Sequence, residues 1–382
     1  MMGKPINRRK LMAIGLTALL AACQVVPKST GPSTPAPPPP EDSLPADEGR
    51  HRVALLVPLS GKNAAVGQSI ANATTMALLD TNASNLRITT YDTAAGASAA
   101  ASRAMADGNK LVLGPLMGDD TGEIVKITRQ REVPLISFSN DITTASRDVF
   151  VMGHIPGQSI KRVVTYARGK GFSRFGAIIP NGEYGDRAQS ALTDAVKDAG
   201  GALVGIEKYD RGNTSISAAA HRLQEKGGID SILIADGARL SGLAAAQFAK
   251  ATQKPKFLGT ELWSGEATVA STPALRGSWF SAVSDARFKQ FVDSYKSRFG
   301  SQPHRIATLG YDAVLLTLRV ARDWTPGKSF PTARLTDRAG FLGLDGPLRF
   351  SSNGIVERAM EVREVGNNTV TVVSQAPTRF QD

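Results

Sequence analysis

The sequence predicts an α/β fold of two lobes, each built around a parallel sheet. From residue 51 onward, short apolar runs alternate with longer segments of helical spacing. This alternation pauses after residue 138 and restarts at residue 175, which indicates two separate sheets. Strand–helix–strand units at this spacing form right-handed crossovers and therefore parallel strands. Because 42% of the 382 residues are hydrophobic and 21% are charged, wholesale disorder is excluded.

The first run of elements predicts one lobe. Its first helix carries Val66, Ile70, Ala73 and Ala77 on one face, at the spacing of an amphipathic helix. The predicted strands of this run are 52–57, 86–91, 111–113 and 134–138, and the predicted helices are 64–80, 97–107 and 119–130.

The second run predicts the other lobe by the same alternation. Its predicted strands are 175–179, 202–209, 231–235 and 256–258, and its predicted helices are 184–199 and 215–226. After it the pattern changes, because Phe288, Phe291 and Tyr295 mark a strongly amphipathic helix. A further helix is predicted at 305–322, and short strands at 348–350, 358–365 and 369–373 are expected to be antiparallel.

The first 23 residues have the proportions of an export signal. Four basic residues precede a twelve-residue apolar stretch, 11–22, which is too short to span a bilayer. The segment 20–23, LAAC, resembles the lipobox of bacterial lipoproteins, in which the cysteine is acylated and becomes the new N-terminus. Cys23 is the only cysteine of the chain, so a disulfide framework is excluded. The alternative is an ordinary signal peptide with an incidental cysteine.

Residues 24–50 are predicted to be a disordered tether. Eight prolines lie between Pro27 and Pro45, and such a segment favours extended polyproline II at ~3.1 Å per residue. At most it would reach ~80 Å from a membrane. Because Gln24 rather than aspartate follows the cysteine, the resemblance to lipoproteins implies the outer membrane, with the protein facing the periplasm.

The net charge of +11 does not indicate a nucleic-acid partner, since an exported protein does not meet the genome. The first 23 residues hold four of the basic side chains, so their removal leaves +7. A basic surface of this kind suits an acidic partner, a phospholipid surface or an anionic cell-wall polymer. A generally basic proteome explains the charge equally well.

Several short motifs are spread over residues 51–365. They are LLVPLSG at 55–61 with Gly67, LGPL at 113–116, VPLIS at 133–137, NGEYG at 181–185, FLG at 257–259, GYDA at 310–313 and FLGLDG at 341–346. In their order and spacing they resemble type 1 periplasmic binding proteins of the leucine/isoleucine/valine-binding kind. The resemblance implies two Rossmann-like lobes with a hinge and an interlobe cleft, and a chain that crosses between the lobes three times. The expected lobes of the domain 51–382 are 51–155 with 276–340, and 156–275 with 341–382.

The ligand site is expected in the cleft, because ligands of open α/β sheets bind outside the carboxyl ends of the strands. The loops concerned are 58–63, 115–120, 138–142, 180–186, 236–239 and 260–265. By resemblance, amino-acid binders hold the ligand carboxylate with hydroxyls and backbone amides and the ammonium with an acid. The matching candidates here are Ser137, Ser139, Tyr184 and Glu261. Gly118 stands where amino-acid binders usually carry Ser or Thr, which removes one carboxylate donor.

Three of these candidates also have a purely structural interpretation. Ser139 is suited to cap the helix that follows it. Tyr184 is suited to packing at the hinge, and Glu261 to a solvated loop.

No catalytic constellation is recognisable in the sequence. The four histidines, His51, His154, His221 and His304, have no metal-ligand spacing. The chain has no G-x-S-x-G elbow and no P-loop. We therefore expect a binding protein, not an enzyme, with no metal and no cofactor.

Two functions fit these features. Lipobox, tether and fold together resemble lipoprotein activators of penicillin-binding proteins, whose partner is a peptidoglycan synthase. The better-known activators carry a helical-repeat domain before this fold, and here the tether leads directly to Arg52. The alternative is a substrate-binding lipoprotein for amino acids or similar small polar ligands, whose partner is an ABC permease.

Overall fold

The computed structural model describes residues 49–212 and 215–380, which all belong to one compact unit. The predicted signal segment 1–23 with Cys23, and nearly all of the tether 24–50, lie outside the described residues. No helix within the described ranges is both long and apolar enough to cross a membrane.

Fifteen strands are found in the described residues. In chain order they are β1 His51–Val57, β2 Leu86–Asp92, β3 Leu111–Leu113, β4 Leu135–Ser137, β5 Val149–Val151, β6 Arg174–Pro180, β7 Ala202–Tyr209, β8 Ser231–Ile234, β9 Lys256–Gly259, β10 Trp279–Val283, β11 Phe341–Gly343, β12 Gly346–Phe350, β13 Val356–Arg358, β14 Met360–Val365 and β15 Val370–Ser374.

Ten α-helices connect or follow these strands within the same residues. They are α1 Ala64–Asp80, α2 Ala97–Ala106, α3 Gly118–Thr128, α4 Pro156–Gly169, α5 Glu183–Asp198, α6 Ser215–Lys226, α7 Ala238–Ala246, α8 Thr268–Ser271, α9 Phe288–Phe299 and α10 Thr308–Ala321.

The strands form two main sheets and one small one. The first sheet has the order β2-β1-β3-β4-β5 and is parallel throughout. The second has the order β15-β14-β10-β9-β8-β6-β7, in which β14 runs antiparallel to both of its neighbours, β10 and β15, and the other pairs are parallel. The predicted α/β fold with two parallel-sheet lobes is thereby confirmed, as is the antiparallel pairing near the C-terminus.

The central strands are apolar on both faces because helices cover both faces of each sheet. In β1, five consecutive residues from Val53 to Val57 are at most 1% exposed. The side chains of α10 pack into the core beneath the first sheet, among them Leu309, Val314 and Leu316. Leu348 and Phe350 of β12 join the same core, which assigns the small sheet β11-β12-β13 to the first lobe.

Two lobe boundaries differ from the expected ones. Strand β10, expected in the first lobe with 276–340, pairs with β9 and β14 in the second sheet. Segment 341–358, expected in the second lobe with 341–382, packs instead on the first-lobe core. The reason is that strand order is set by long-range pairing, which short apolar runs such as WFSAV do not specify. The chain therefore passes between the lobes near residues 154, 285 and 358.

Candidate functional site

A cavity of about 620 Å³ lies between the carboxyl ends of the two parallel sheets. Residues from both lobes line this cavity, so it is the interlobe cleft that was expected for this fold. The lining residues are Asn63, Val66, Leu116, Met117, Phe138, Asn140, His154, Glu261, Leu262, Ser264, Gly265, Glu266, Pro303, His304, Arg305, Ile306 and Leu309.

Four of the six predicted loops contribute to this lining: 58–63, 115–120, 138–142 and 260–265. The loops 180–186 and 236–239 do not. Segment 303–309, which leads into α10, also lines the cleft although it follows no strand.

Glu261 is positioned by a rigid turn directly after β9. The turn is one 3₁₀ helix, Glu261–Trp263, and the hydroxyl of Thr260 accepts a hydrogen bond from Leu262 N. The Trp263 indole donates to the carbonyl oxygen of Asp236 at 2.9 Å and lies directly over Gly259. A Cβ at position 259 would come within 2.4 Å of that ring, so only glycine allows this close approach.

Two hydroxyl groups hold the Glu261 carboxylate. Ser159 Oγ donates to Oε2 at 2.6 Å, and Tyr184 OH donates to Oε1 at 3.0 Å. Tyr184 OH also lies 2.9 Å from Thr260 Oγ1. Predicted residues Tyr184 and Glu261 are therefore brought together, and Ser159 of α4 completes the group.

The Glu261 carboxylate has no cationic partner among the described residues, although it lines the cleft. Burial raises the pKa of Glu261, and the hydrogen bonds from Ser159 and Tyr184 oppose that rise. Burial and the nearby Glu261 charge raise the pKa of Tyr184 well above its ordinary value, so this phenol remains a donor. A carboxylate in this setting gains most from a positively charged group entering the cleft.

Ser137 and Ser139 serve their own loop. Ser137 is fully buried, donates to Pro115 O at 3.3 Å and accepts from the backbone nitrogen of Ser139 at 3.2 Å. Ser139 is 4% exposed, and its Oγ accepts from the backbone nitrogen of Asp141 at 3.0 Å. Neither serine lines the cavity, whereas Asn140, the residue after Ser139, does.

The space above Gly118 is occupied by the loop after β4. A Cβ at position 118 would lie 3.1 Å from Asp141 Oδ2 and 3.3 Å from Ser139 Oγ. Asp141 therefore takes part of the space that a serine or threonine side chain at 118 would need. Burial alone would raise the pKa of Asp141, but hydrogen bonds from Thr143 and the charge of Arg187 lower it overall.

Arg187 of α5 links the two lobes next to this position. Its Nη1 donates to Asn140 Oδ1 at 2.9 Å, and its Nη2 lies 3.2 Å from Asp141 Oδ2. Nη2 also donates to Glu183 Oε2 at 3.0 Å, within its own helix. Contacts of Arg187 thus join the two lobes at this position.

A cluster of charged side chains joins the three crossover segments. Asp345, 1% exposed, lies 2.8 Å from His154 Nε2 and accepts from Arg305 Nη1 at 2.8 Å. Arg305 also reaches Asp285, and Arg358 Nη1 lies 3.8 Å from Asp345. Although burial opposes it, the charges of Arg305 and His154 hold the pKa of Asp345 well below its usual range. We call these five residues the crossover cluster.

Asp312 lies beneath this cluster, and its pKa shifts in the opposite direction from that of Asp345. It accepts from the backbone nitrogen of Leu344 at 2.6 Å and from that of Asp345 at 3.3 Å. Burial, with a further contribution from the Asp345 charge, raises the pKa of Asp312 to about 7. Gly343 is required here, because a Cβ would come within 2.4 Å of the Asp312 carboxylate.

Sequence reasoning missed Ser159, Arg187 and the crossover cluster. Helix α4, which carries Ser159, was not predicted, although Ile160, Val163, Val164 and Ala167 repeat at helical spacing. The segment 341–346 was noted for its resemblance, yet nothing local to Asp345 indicates a buried ion network.

The comparisons with known proteins agree with this architecture. A family model described as periplasmic binding protein matches residues 51–369, and the chain belongs to that family. The family comprises type 1 periplasmic binding proteins, so the resemblance found in the sequence is confirmed. An uncharacterised protein of Rickettsia prowazekii is 26% identical over 179 residues. That match covers 46% of this chain and 48% of the relative, so the two are comparable over about half their lengths.

Solved structures show the same fold. A putative branched-chain amino acid ABC transporter protein from Rhodospirillum rubrum is 21% identical, with a TM-score of 0.74, covering 85% of this chain and 100% of that one. The leucine-binding protein LivK from Thermotoga maritima is 19% identical, with a TM-score of 0.65, covering 85% and 98%. At these identities the likeness establishes the fold alone.

Proposed function

We propose that this chain is the substrate-binding protein of an ABC importer and that its ligand is a small polar molecule carrying an amino group. The observation that carries the proposal is the Glu261 carboxylate, which lines the interlobe cleft, has two hydroxyl donors and lacks a cationic partner among the described residues. The cleft volume of about 620 Å³ lies in the usual range for small-molecule sites.

The region around Gly118, where the resemblance places the carboxylate of an amino-acid ligand, differs from that of standard amino-acid binders. Asp141 and Ser139 crowd the space above Gly118, so no side-chain hydroxyl at 118 is available to a ligand carboxylate. An anionic group placed there would also face the Asp141 carboxylate. These contacts favour amine-bearing ligands beyond the standard α-amino acids, and a binding role rather than catalysis.

Thermal melts of the full-length protein with a panel of amino acids and other small amines test this function. A ligand at a hundred times its dissociation constant stabilises the folded state by ~2.7 kcal/mol and raises the melting temperature. We expect such a rise with at least one amine and its loss in Glu261→Gln. The matched control is Glu225→Gln on the exposed face of α6, which should keep the full rise. A rise that survives in Glu261→Gln would contradict the proposed site.

One observation favours a second function, the penicillin-binding protein activator. Arg187 of the second lobe contacts Asn140 and Asp141 of the first lobe, so side chains of the protein itself join the lobes. A module of this kind could dock on a peptidoglycan synthase and favour its active state by binding that state more tightly. Neither of the solved structures named above is described as such an activator. Pull-down of a synthase by the wild-type protein, with no thermal response to any amine, would support this second function.

We further propose that the protein is anchored to the outer membrane through acylated Cys23 and faces the periplasm. The LAAC segment at 20–23 supports the anchor, and Gln24 supports the choice of membrane. Two acyl chains meet the requirement for stable anchoring, and a third exceeds it. An importer function then needs the tether to reach an inner-membrane permease.

A further inference from the structure

A second cavity, of about 680 Å³, lies at the opposite edge of the second sheet from the cleft. It is bordered by the amino ends of β9 and β10, whereas Glu261 follows the carboxyl end of β9. We call it the distal pocket. Its lining residues are Phe172, Ala245, Ala246, Phe248, Ala249, Lys254, Pro255, Lys256, Phe257, Pro273, Ala274, Arg276, Gly277 and Ser278.

The walls of the distal pocket are mostly apolar. Phe248 and Phe257 pack edge to face at 5.6 Å, and Phe172 packs edge to face on Trp279 at the same distance. Prolines and alanines complete these walls. Such walls suit an apolar body about the size of a small ring system.

All charged side chains in this lining are cationic: Lys254, Lys256 and Arg276. Lys256 is half-buried, its Nζ donates to Gly277 O at 2.7 Å, and it lies 4.2 Å from the centre of the Trp279 ring. Among the described residues, no carboxylate lies within ion-pair distance of Lys256, and the nearby Glu364 accepts a hydrogen bond from the Trp279 indole at 2.7 Å. Burial lowers the pKa of Lys256, although the charge of Glu364 opposes this. A half-buried ammonium without a counterion gains from an anion beside it.

Two further features of the lining point to an anion. Lys254 and Arg276 are exposed, and their side chains make no hydrogen bond or ion pair within the described residues. Ser278 is 1% exposed, and its hydroxyl has no hydrogen-bond partner there either. An unpaired buried hydroxyl is costly and is uncommon in folded proteins. The lining thus holds an unpaired hydroxyl beside its three cations.

We propose that the distal pocket binds a small hydrophobic anion, an apolar ring or short chain that carries one carboxylate. The apolar walls take the body of the ligand, and Lys254, Lys256 and Arg276 surround its charged end. This site is separate from the cleft and does not depend on the ligand proposed there. The protein would then bind two ligands of opposite charge at the two ends of one sheet.

Isothermal titration of the full-length protein with 1-naphthoate, and with the neutral 1-naphthamide, tests this site. We expect naphthoate to bind and naphthamide to bind much more weakly. Lys256→Met and Arg276→Gln should each weaken naphthoate binding roughly fivefold to tenfold, as expected for losing one partly exposed charge contact. Lys256→Arg should retain binding, which separates loss of charge from loss of folding. Lys250→Met, an exposed lysine of the same lobe outside the lining, is the matched control.

Several outcomes would overturn the proposal. Equal affinity for naphthamide would show that charge does not matter, and unchanged affinity in both variants would place the anion elsewhere. Loss of naphthoate binding in Glu261→Gln would place it in the cleft. Absence of binding at millimolar naphthoate would exclude the small ligand. Binding of polyglutamate in its place would indicate an acidic protein segment as the occupant.

Discussion

Glu261 combines two properties in one side chain. Its carboxylate is surrounded closely enough that burial raises its pKa, and it still borders a cavity large enough for a ligand. Ser159 and Tyr184 satisfy one lone pair on each oxygen and fix the orientation of the group. Lone pairs that remain on both oxygens are available to an ammonium.

The raised pKa of Glu261 predicts how binding depends on pH. An amine ligand needs the ionised carboxylate, so affinity should fall as pH drops through the pKa of Glu261. Because that pKa lies above the ordinary value of 4.5, the loss should begin at a higher pH than for an exposed glutamate. Titration of an amine ligand between pH 7 and pH 4 measures this. Constant affinity across the range would contradict a role for Glu261 in binding the amine.

Asp312 predicts a pH effect on stability. Its pKa rises from 3.8 to about 7 in the folded protein, so the folded state holds this proton more tightly than the unfolded chain. Its contribution to the free energy of unfolding therefore falls as pH rises between about 4 and about 7. Asp312→Asn should remove that fall, by an amount on the order of a few kcal/mol. Urea unfolding at several pH values measures it, with Asp293→Asn on the exposed face of α9 as control. If the stability of Asp312→Asn varied with pH in the same way as that of the wild type, the raised pKa of Asp312 would be contradicted.

At the scale of single elements, the turn after β9 depends on one close contact. Gly259→Ala would place a Cβ about 2.4 Å from the Trp263 ring, and Trp263 is 1% exposed. We expect a loss of about 1–3 kcal/mol in the free energy of unfolding. Gly169→Ala at the end of α4, where nothing lies within 4 Å, should be close to neutral. Equal stabilities of the two variants in urea would contradict this contact.

The bridge from α5 to the loop after β4 predicts an effect on lobe closure. Arg187→Gln removes the charge that pairs with Asp141, so the lobes should separate more often without ligand. Small-angle scattering should then give a larger radius of gyration than for the wild type. Arg222→Gln, which breaks a pair with Glu207 inside the second lobe, should leave the radius unchanged. An unchanged radius for Arg187→Gln would mean that other contacts hold the lobes.

The spacing of apolar residues predicted the positions of helices and strands better than it predicted which of them pack together. Helix α1 and strand β7 fall at the expected residues because their apolar spacing extends over many positions. Strands β5 and β10 are only three and five residues long, and neither was predicted. The surroundings of Glu261 could not be predicted for a related reason, because its partner Ser159 is 102 positions away along the chain. A contact between residues so far apart leaves no local pattern in the sequence.

At the scale of the whole molecule, the crossover cluster ties together the three segments that pass between the lobes. His154, Asp285 and Arg358 each belong to a different crossing, and Arg305 and Asp345 connect them. This arrangement explains why sequence reasoning gave the fold but misplaced two lobe boundaries. The choice of lobe for residues 276–283 and 341–358 depends on contacts formed only after both sheets exist.

The proposed membrane anchor predicts where the protein is found. Cys23→Ala removes the thiol that the acyl chain requires, so the variant should leave the membrane fraction and become soluble. Fractionation of cells with immunodetection measures this against the wild type. A Cys23→Ala variant that stays with the membranes would show that another segment holds the protein there.

The most direct test of an amine-binding cleft compares one ligand with its own des-amino analogue by isothermal titration. The compound that gives the largest thermal rise is titrated beside the same compound lacking only the amino group. We predict that the amine binds and the analogue binds at least about tenfold more weakly, as loss of a buried charged hydrogen bond requires. Equal affinity for both compounds would contradict the assignment of Glu261 as the group that recognises the ligand.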